Sequence, residues 1–164
     1  MNWADATRAD RIAHIGRTII DTPSHDRTTA VFQKTFDRYM SRPEGTCSFV
    51  LGETRAGKTT ACDEWMINLA ENIGGEVVSG GNEGTDGITS VILRGKERIE
   101  RPVIKVQVDS TPTYKGLFAD VVTTVLGTRP SRSLSFQQLL SLLCESAWNK
   151  APVFGVIGVQ TGPL

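Results

Sequence analysis

Cys47-Ser48-Phe49-Val50-Leu51-Gly52-Glu53-Thr54-Arg55-Ala56-Gly57-Lys58-Thr59-Thr60 is the stretch whose reading decides the fold. An apolar run, Phe49 to Leu51, feeds Gly52, and Gly52 to Thr59 matches G-x-x-x-x-G-K-[ST], the phosphate-binding loop pattern. Gly52 and Gly57 allow backbone turns that a Cβ would bar, so the N–H groups of Glu53, Thr54, Arg55 and Ala56 can point inward at an anion. Lys58 supplies a mobile positive charge for the β- and γ-phosphates. The Thr59 hydroxyl suits Mg²⁺, and Thr60 adjoins the motif. A helix starting near Lys58, with Ala61, Trp65, Met66 and Leu69 as its apolar positions and Gly74-Gly75 as its stop, adds the positive end of its dipole. A nucleotide with Mg²⁺ is the expected ligand.

Working outward, residues 4 to 20 carry Ile12, Ile15, Ile19 and Ile20 at helical spacing, and Pro23 breaks that pattern. Asp26 reads as the N-cap of a second helix bearing Val31, Phe32, Phe36, Tyr39 and Met40, closed by Pro43 and Gly45. After the phosphate-loop helix, Ser79 to Gly87 is rich in glycine and polar residues and suits a loop or hairpin tip, with Ile88 to Leu93 returning. Pro102 to Asp109 alternates: Ile104, Val106 and Val108 on one face, Lys105, Gln107 and Asp109 on the other. That predicts a half-exposed strand near a sheet edge. Thr113 opens a helix ended by Gly127, and Ser135 caps another ending near Asn149 to Pro152. The run Val153 to Val159 is almost wholly apolar and suits a central parallel strand. Strands alternating with helices predict an α/β fold, a three-layer sandwich with a mostly parallel sheet. Residues 1–45 form N-terminal helices ahead of a nucleotide-binding core at 46–164.

Composition narrows the function classes. Eighteen basic residues balance eighteen acidic ones in 164, so no global field draws the chain to nucleic acid or membrane. Residues 1–42 hold seven Lys/Arg against five Asp/Glu, and residues 94–105 hold five against two. Such clusters are more often solvated faces than interfaces. Cys47, Cys62 and Cys144 are odd in number and lack C-x-x-C spacing, which predicts buried thiols in a reducing cytoplasm rather than a zinc site. The first residues lack the apolar segment of an export signal, and no apolar run reaches membrane-spanning length, so a cytoplasmic protein is expected. His14 and His25 have no partner at ligand or dyad spacing and read as surface or interface residues.

Hydrolysis asks for more than a phosphate loop: an acid at the end of a second strand should organise Mg²⁺. The last strand ends in Gln160-Thr161, and the other acid at a strand end is Asp109, which also reads as a cap or loop residue before Ser110-Thr111-Pro112. No sensor residue or arginine finger stands out.

The order of features resembles the transposition ATP-binding proteins of the TniB and TnsC type, members of the AAA+ class. The likeness rests on Arg11 to Ile15 ahead of the loop, on Gly52 to Thr59, on Val106 to Thr113, on Lys115 to Phe118 and on a helix ending Val125-Leu126-Gly127. It covers roughly residues 8 to 145, and its sharp motif is the phosphate loop. The resemblance implies an AAA+-like core and ATP with Mg²⁺ held at Gly52, Glu53, Thr54, Arg55, Ala56, Gly57, Lys58, Thr59 and Thr60. It also implies partners in DNA and a transposase, assembly as a homo-oligomer, and a role in recombination by a mobile element. Where the family carries its Walker B acids this chain has Gln160 and Thr161, and the family's C-terminal lid has no counterpart. The resemblance therefore implies a copy cut short at or before Walker B, with catalytic residues unassigned. A small-molecule kinase or other P-loop transferase is an alternative reading, as is a non-catalytic relic. Arg94, Lys96, Arg98 and Arg101 form the nearest basic cluster for DNA.

Overall fold

The computed structural model describes residues 7–17, 22–41, 48, 50–51, 53, 56–80, 87–96, 99–108, 113–150 and 156–160. Its elements run α1 (Arg8–Arg17), α2 (Pro23–Ser41), α3 (Lys58–Ile73), β1 (Glu76–Ser79), β2 (Ile88–Arg94), β3 (Ile99–Val108), α4 (Tyr114–Leu126), α5 (Phe136–Lys150) and β4 (Val156–Gln160).

Local chemistry sets the helix starts. Thr7 and Asp10 satisfy each other's amides at 3.2 and 3.0 Å, a capping box that begins α1, and the Thr7 bonds hold the Asp10 carboxyl below its usual range. The Thr22 hydroxyl accepts from the His25 amide at 3.2 Å, and Pro23 takes the first helical position, where its missing N–H costs nothing. Helix α2 therefore begins before the expected cap at Asp26. Thr113 caps α4 by accepting from Gly116, and Ser135 with Gln138 forms a second capping box at α5. Pro43 and Gly45 lie outside the described residues.

The four strands form one sheet in the order β1-β2-β3-β4. β1 and β2 pair antiparallel as the expected hairpin, β2 and β3 pair antiparallel, and β3 and β4 pair parallel. This corrects the mostly parallel sheet expected from the sequence. Parallel neighbours need a long crossover, and within the described sheet α4 and α5 supply one, between β3 and β4. The links β1–β2 and β2–β3 are too short in sequence for such a crossover, and those strands fold back antiparallel. Of the apolar run ahead of the loop, Phe49 lies outside the described residues and Leu51 is 90% exposed. β4 stands at one end of the described sheet rather than at its centre.

Helices cover both faces. On one, Cys62, Trp65, Met66, Leu69 and Ala70 of α3 pack on Ile88, Val91 and Val103, with Phe32 and Phe36 of α2 behind them. On the other, Ile104 and Val106 meet Val121, Leu117 and Val125 of α4 and Leu143 of α5. Adjacent residues Val103 and Ile104 point to opposite faces, as strand geometry requires. β3 is thus buried on both sides, which corrects its expected position near an edge. The register slips opposite Glu100 to Val103, and Pro102, with no N–H for the ladder, falls in this slip. Ile12 of α1 stays 60% exposed, so the expected apolar stripe is not covered at that position.

Candidate functional site

Six of the nine residues read as nucleotide contacts lie within the described residues: Glu53, Ala56, Gly57, Lys58, Thr59 and Thr60. Gly52, Thr54 and Arg55 lie outside them, as does Asp109. Gly57 is the N-cap of α3 in the left-handed region, φ 77° and ψ 8°, a conformation that strains any residue with a Cβ. It offers no side-chain cap, and the first turn of α3 holds no acid. The first intrahelical bond runs from the Ala61 amide to the Gly57 carbonyl at 2.9 Å. The amides of Lys58, Thr59 and Thr60 therefore precede the helical ladder at an exposed, positively polarised terminus.

The Lys58 ammonium donates to the Glu53 carbonyl at 2.6 Å, and the Ala56 amide donates to the same oxygen at 3.2 Å. These bonds tie Ala56 and Lys58 back to Glu53. Thr59 is exposed beside Lys58, and its hydroxyl is an oxygen ligand of the kind Mg²⁺ takes. Among the described residues no group of three His, Cys, Asp or Glu side chains could hold a metal by itself.

Helix α3 runs against the direction of β3. Its second turn meets the far part of β3 through an Asp63–Lys105 ion pair. Beyond its C-terminus, Gly75 lies against Ile92, one residue before the Leu93–Glu100 pairing near the start of β3. The loop end of α3 therefore stands toward the end where the parallel strands β3 and β4 finish, the usual place for ligands in sheets with helical crossovers. Ser48, just ahead of the loop, shares a 2.8 Å hydroxyl bond with Thr35 of α2.

Sequence reasoning missed three side-chain partnerships around α3. Lys105 was assigned to a solvated strand face, yet it faces α3 and its side chain is 11% exposed, paired with Asp63. A signal was present: Asp63 follows Cys62 on the inward side of α3, where an acid calls for a cation. His25 lies against an acid, its Nε2 3.0 Å from Glu64 Oε2, with both atoms shut off from solvent and not aligned for a hydrogen bond. Trp65 Nε1 donates to Gln33 Oε1 at 2.9 Å, tying α2 to α3 at the same level.

Cys62 is fully buried, and burial pushes its thiol up to about 12, with Lys105 opposing and Asp63 reinforcing the rise. It stays protonated and is no nucleophile. Cys144 is exposed, contrary to the expectation of buried thiols. In the basic cluster, Arg94 pairs with Glu76 at 2.9 Å, while Arg101 donates to the buried Ser90 hydroxyl at 3.2 Å and burial lowers its pKa. Arg98 lies outside the described residues.

The chain is 31% identical over 87 residues to the myosin IC heavy chain of Dictyostelium discoideum; that match covers 53% of this chain and 7% of that protein. No family model matches the chain, and no solved structure matches it. No helix of the described residues is long and apolar enough to cross a membrane.

Proposed function

We propose that this chain binds ATP with Mg²⁺ through the loop Gly52 to Thr60. The observation that carries the reading is the start of α3. A left-handed Gly57 replaces a side-chain cap, no acid neutralises the first turn, and Lys58 follows at once. A helix start built for itself would carry Ser, Thr, Asp or Asn at that cap. This one sets first-turn amides and an ammonium together with no side-chain cap and no acid, which suits a polyanionic phosphate chain. The role is binding and retention; Lys58 exchanges the Glu53 carbonyl for phosphate oxygens, and Thr59 offers its hydroxyl to the bound cation. Calorimetric titration with Mg²⁺·ATP tests it: the wild type is expected to bind and Lys58→Ala to lose the heat while staying folded. Equal heats for both proteins would refute the reading.

The likeness at Arg11 to Ile15, Val106 to Thr113 and Lys115 to Phe118 supports a transposition helper of the TniB and TnsC type as the wider role, with DNA, a transposase and further copies of the chain as partners. Mobility-shift titration on duplex DNA with and without ATP checks this. Nucleotide-dependent retardation supports the wider role, and its absence confines the chain to nucleotide binding.

A further inference from the structure

We propose that the Asp63–Lys105 ion pair is the positioning device of the phosphate loop, setting the register of α3 on β3 so that the amides of Lys58 to Thr60 stand at the ligand-binding end. The inference rests on the nucleotide-binding reading and adds to it two residues outside the loop.

Three observations converge. First, beside that pair α3 packs on the sheet through an apolar cluster, Cys62, Met66, Leu69 and Ala70 on Ile88, Val91 and Val103. Hydrophobic burial attracts without direction, whereas an ion pair fixes a distance between two named atoms. Second, the two ends of α3 are held differently. At its C-terminal end, a Cβ on Gly75 would lie 2.8 Å from the Ile92 carbonyl, so close backbone approach fixes that end. At its N-terminal end, the contact between charged atoms is the Asp63–Lys105 pair, one helical turn from Thr59. Third, the surroundings make room for the pair. Gly87 has no Cβ where one would stand 3.2 Å from the Lys105 ammonium and 3.8 Å from the Asp63 carboxylate. A nearly buried ammonium needs its counter-charge, so Lys105 holds Asp63 at one distance and in one direction, and with it the first turn of α3. Asp63 and Lys105 touch no phosphate; they act through the placement of the loop amides.

The test compares wild type, Asp63→Glu and Asp63→Asn/Lys105→Met in Mg²⁺·ATP titrations and thermal unfolding. Asp63→Glu keeps the charge and lengthens the arm by one methylene. The double variant removes both charges together, so no ammonium is left unpaired. Both are expected to melt within a few degrees of wild type yet to raise the Kd for Mg²⁺·ATP about tenfold, inside the ordinary range of coupling between neighbouring elements. Wild-type Kd values in Asp63→Glu would overturn the proposal and leave nucleotide binding intact, and Asp63→Glu decides alone if the double variant unfolds. A wild-type chain that binds no Mg²⁺·ATP would sink the nucleotide reading and this inference with it.

Discussion

Replacing Trp65 with alanine tests whether α2 is locked to the phosphate-loop helix. Trp65 is 5% exposed; its ring lies 5.6 Å from Phe32 at a tilt and 6.1 Å from Phe36 edge-on, and its N–H is bonded to Gln33. Truncating a buried tryptophan to alanine costs about 3–5 kcal/mol, through lost transfer energy and the cavity left behind. The two ring pairs account for about 1–3 kcal/mol of this, at about 0.5–1.5 kcal/mol each. For a chain of this size each kcal/mol lowers the melting midpoint by about 2–4 °C, so Trp65→Ala should melt about 6–20 °C below wild type. Trp65→Phe keeps a ring but leaves Gln33 Oε1 without its donor, for a cost of about 1–2 kcal/mol. Thermal unfolding gives the sizes, and limited proteolysis within Pro23–Ser41 shows whether α2 has come away. If Trp65→Ala falls no further than Trp65→Phe and α2 stays protected, the aromatic lock is not what holds α2.

Gly75→Ala places a Cβ against a backbone carbonyl that cannot swing aside, so it should cost about 1–3 kcal/mol by chemical denaturation; Lys96→Ala, on an exposed residue, should cost almost nothing. Gly57→Ala forces a methyl into the left-handed region and should cost about 1 kcal/mol, with Mg²⁺·ATP binding weakened in the same titration. Cys144 should react with a thiol reagent in the native chain while Cys62 reacts only after denaturation; equal rates would contradict the burial of Cys62. Because the Cys62 thiol is raised from 9.0 to about 12 in the fold, the native state holds its proton more tightly than the unfolded one. Its contribution to stability is full below pH 9 and is lost as pH climbs toward 12, a decline that Cys62→Ala should lessen in unfolding titrations across that window.

Local chemistry made much of this chain legible in sequence. The stops at Gly74 and Gly127 and the caps at Thr113 and Ser135 follow from backbone and side-chain preferences that act over a few residues, and they stand as expected. The phosphate-loop motif was readable for the same reason, since its glycine, lysine and threonine positions are a local geometry. Strand direction was not. Pro102 to Asp109 reads as half exposed because alternation reports side-chain character, whereas burial on both faces depends on which helices fold over the sheet. Lys105 belongs to the polar half of that pattern, yet tertiary packing turns it toward Asp63, 42 residues away in sequence, and the low exposure of the site makes the pairing necessary. His25 and Glu64 meet for the same reason, once Phe32, Phe36 and Trp65 bring α2 onto α3. The sequence alone therefore determined the helix stops at Gly74 and Gly127, the caps at Thr113 and Ser135, and the pattern from Gly52 to Thr59 on which the nucleotide proposal rests. Only the tertiary structure decided which strands run together and which buried charges face each other, because those depend on contacts between segments that no local preference connects.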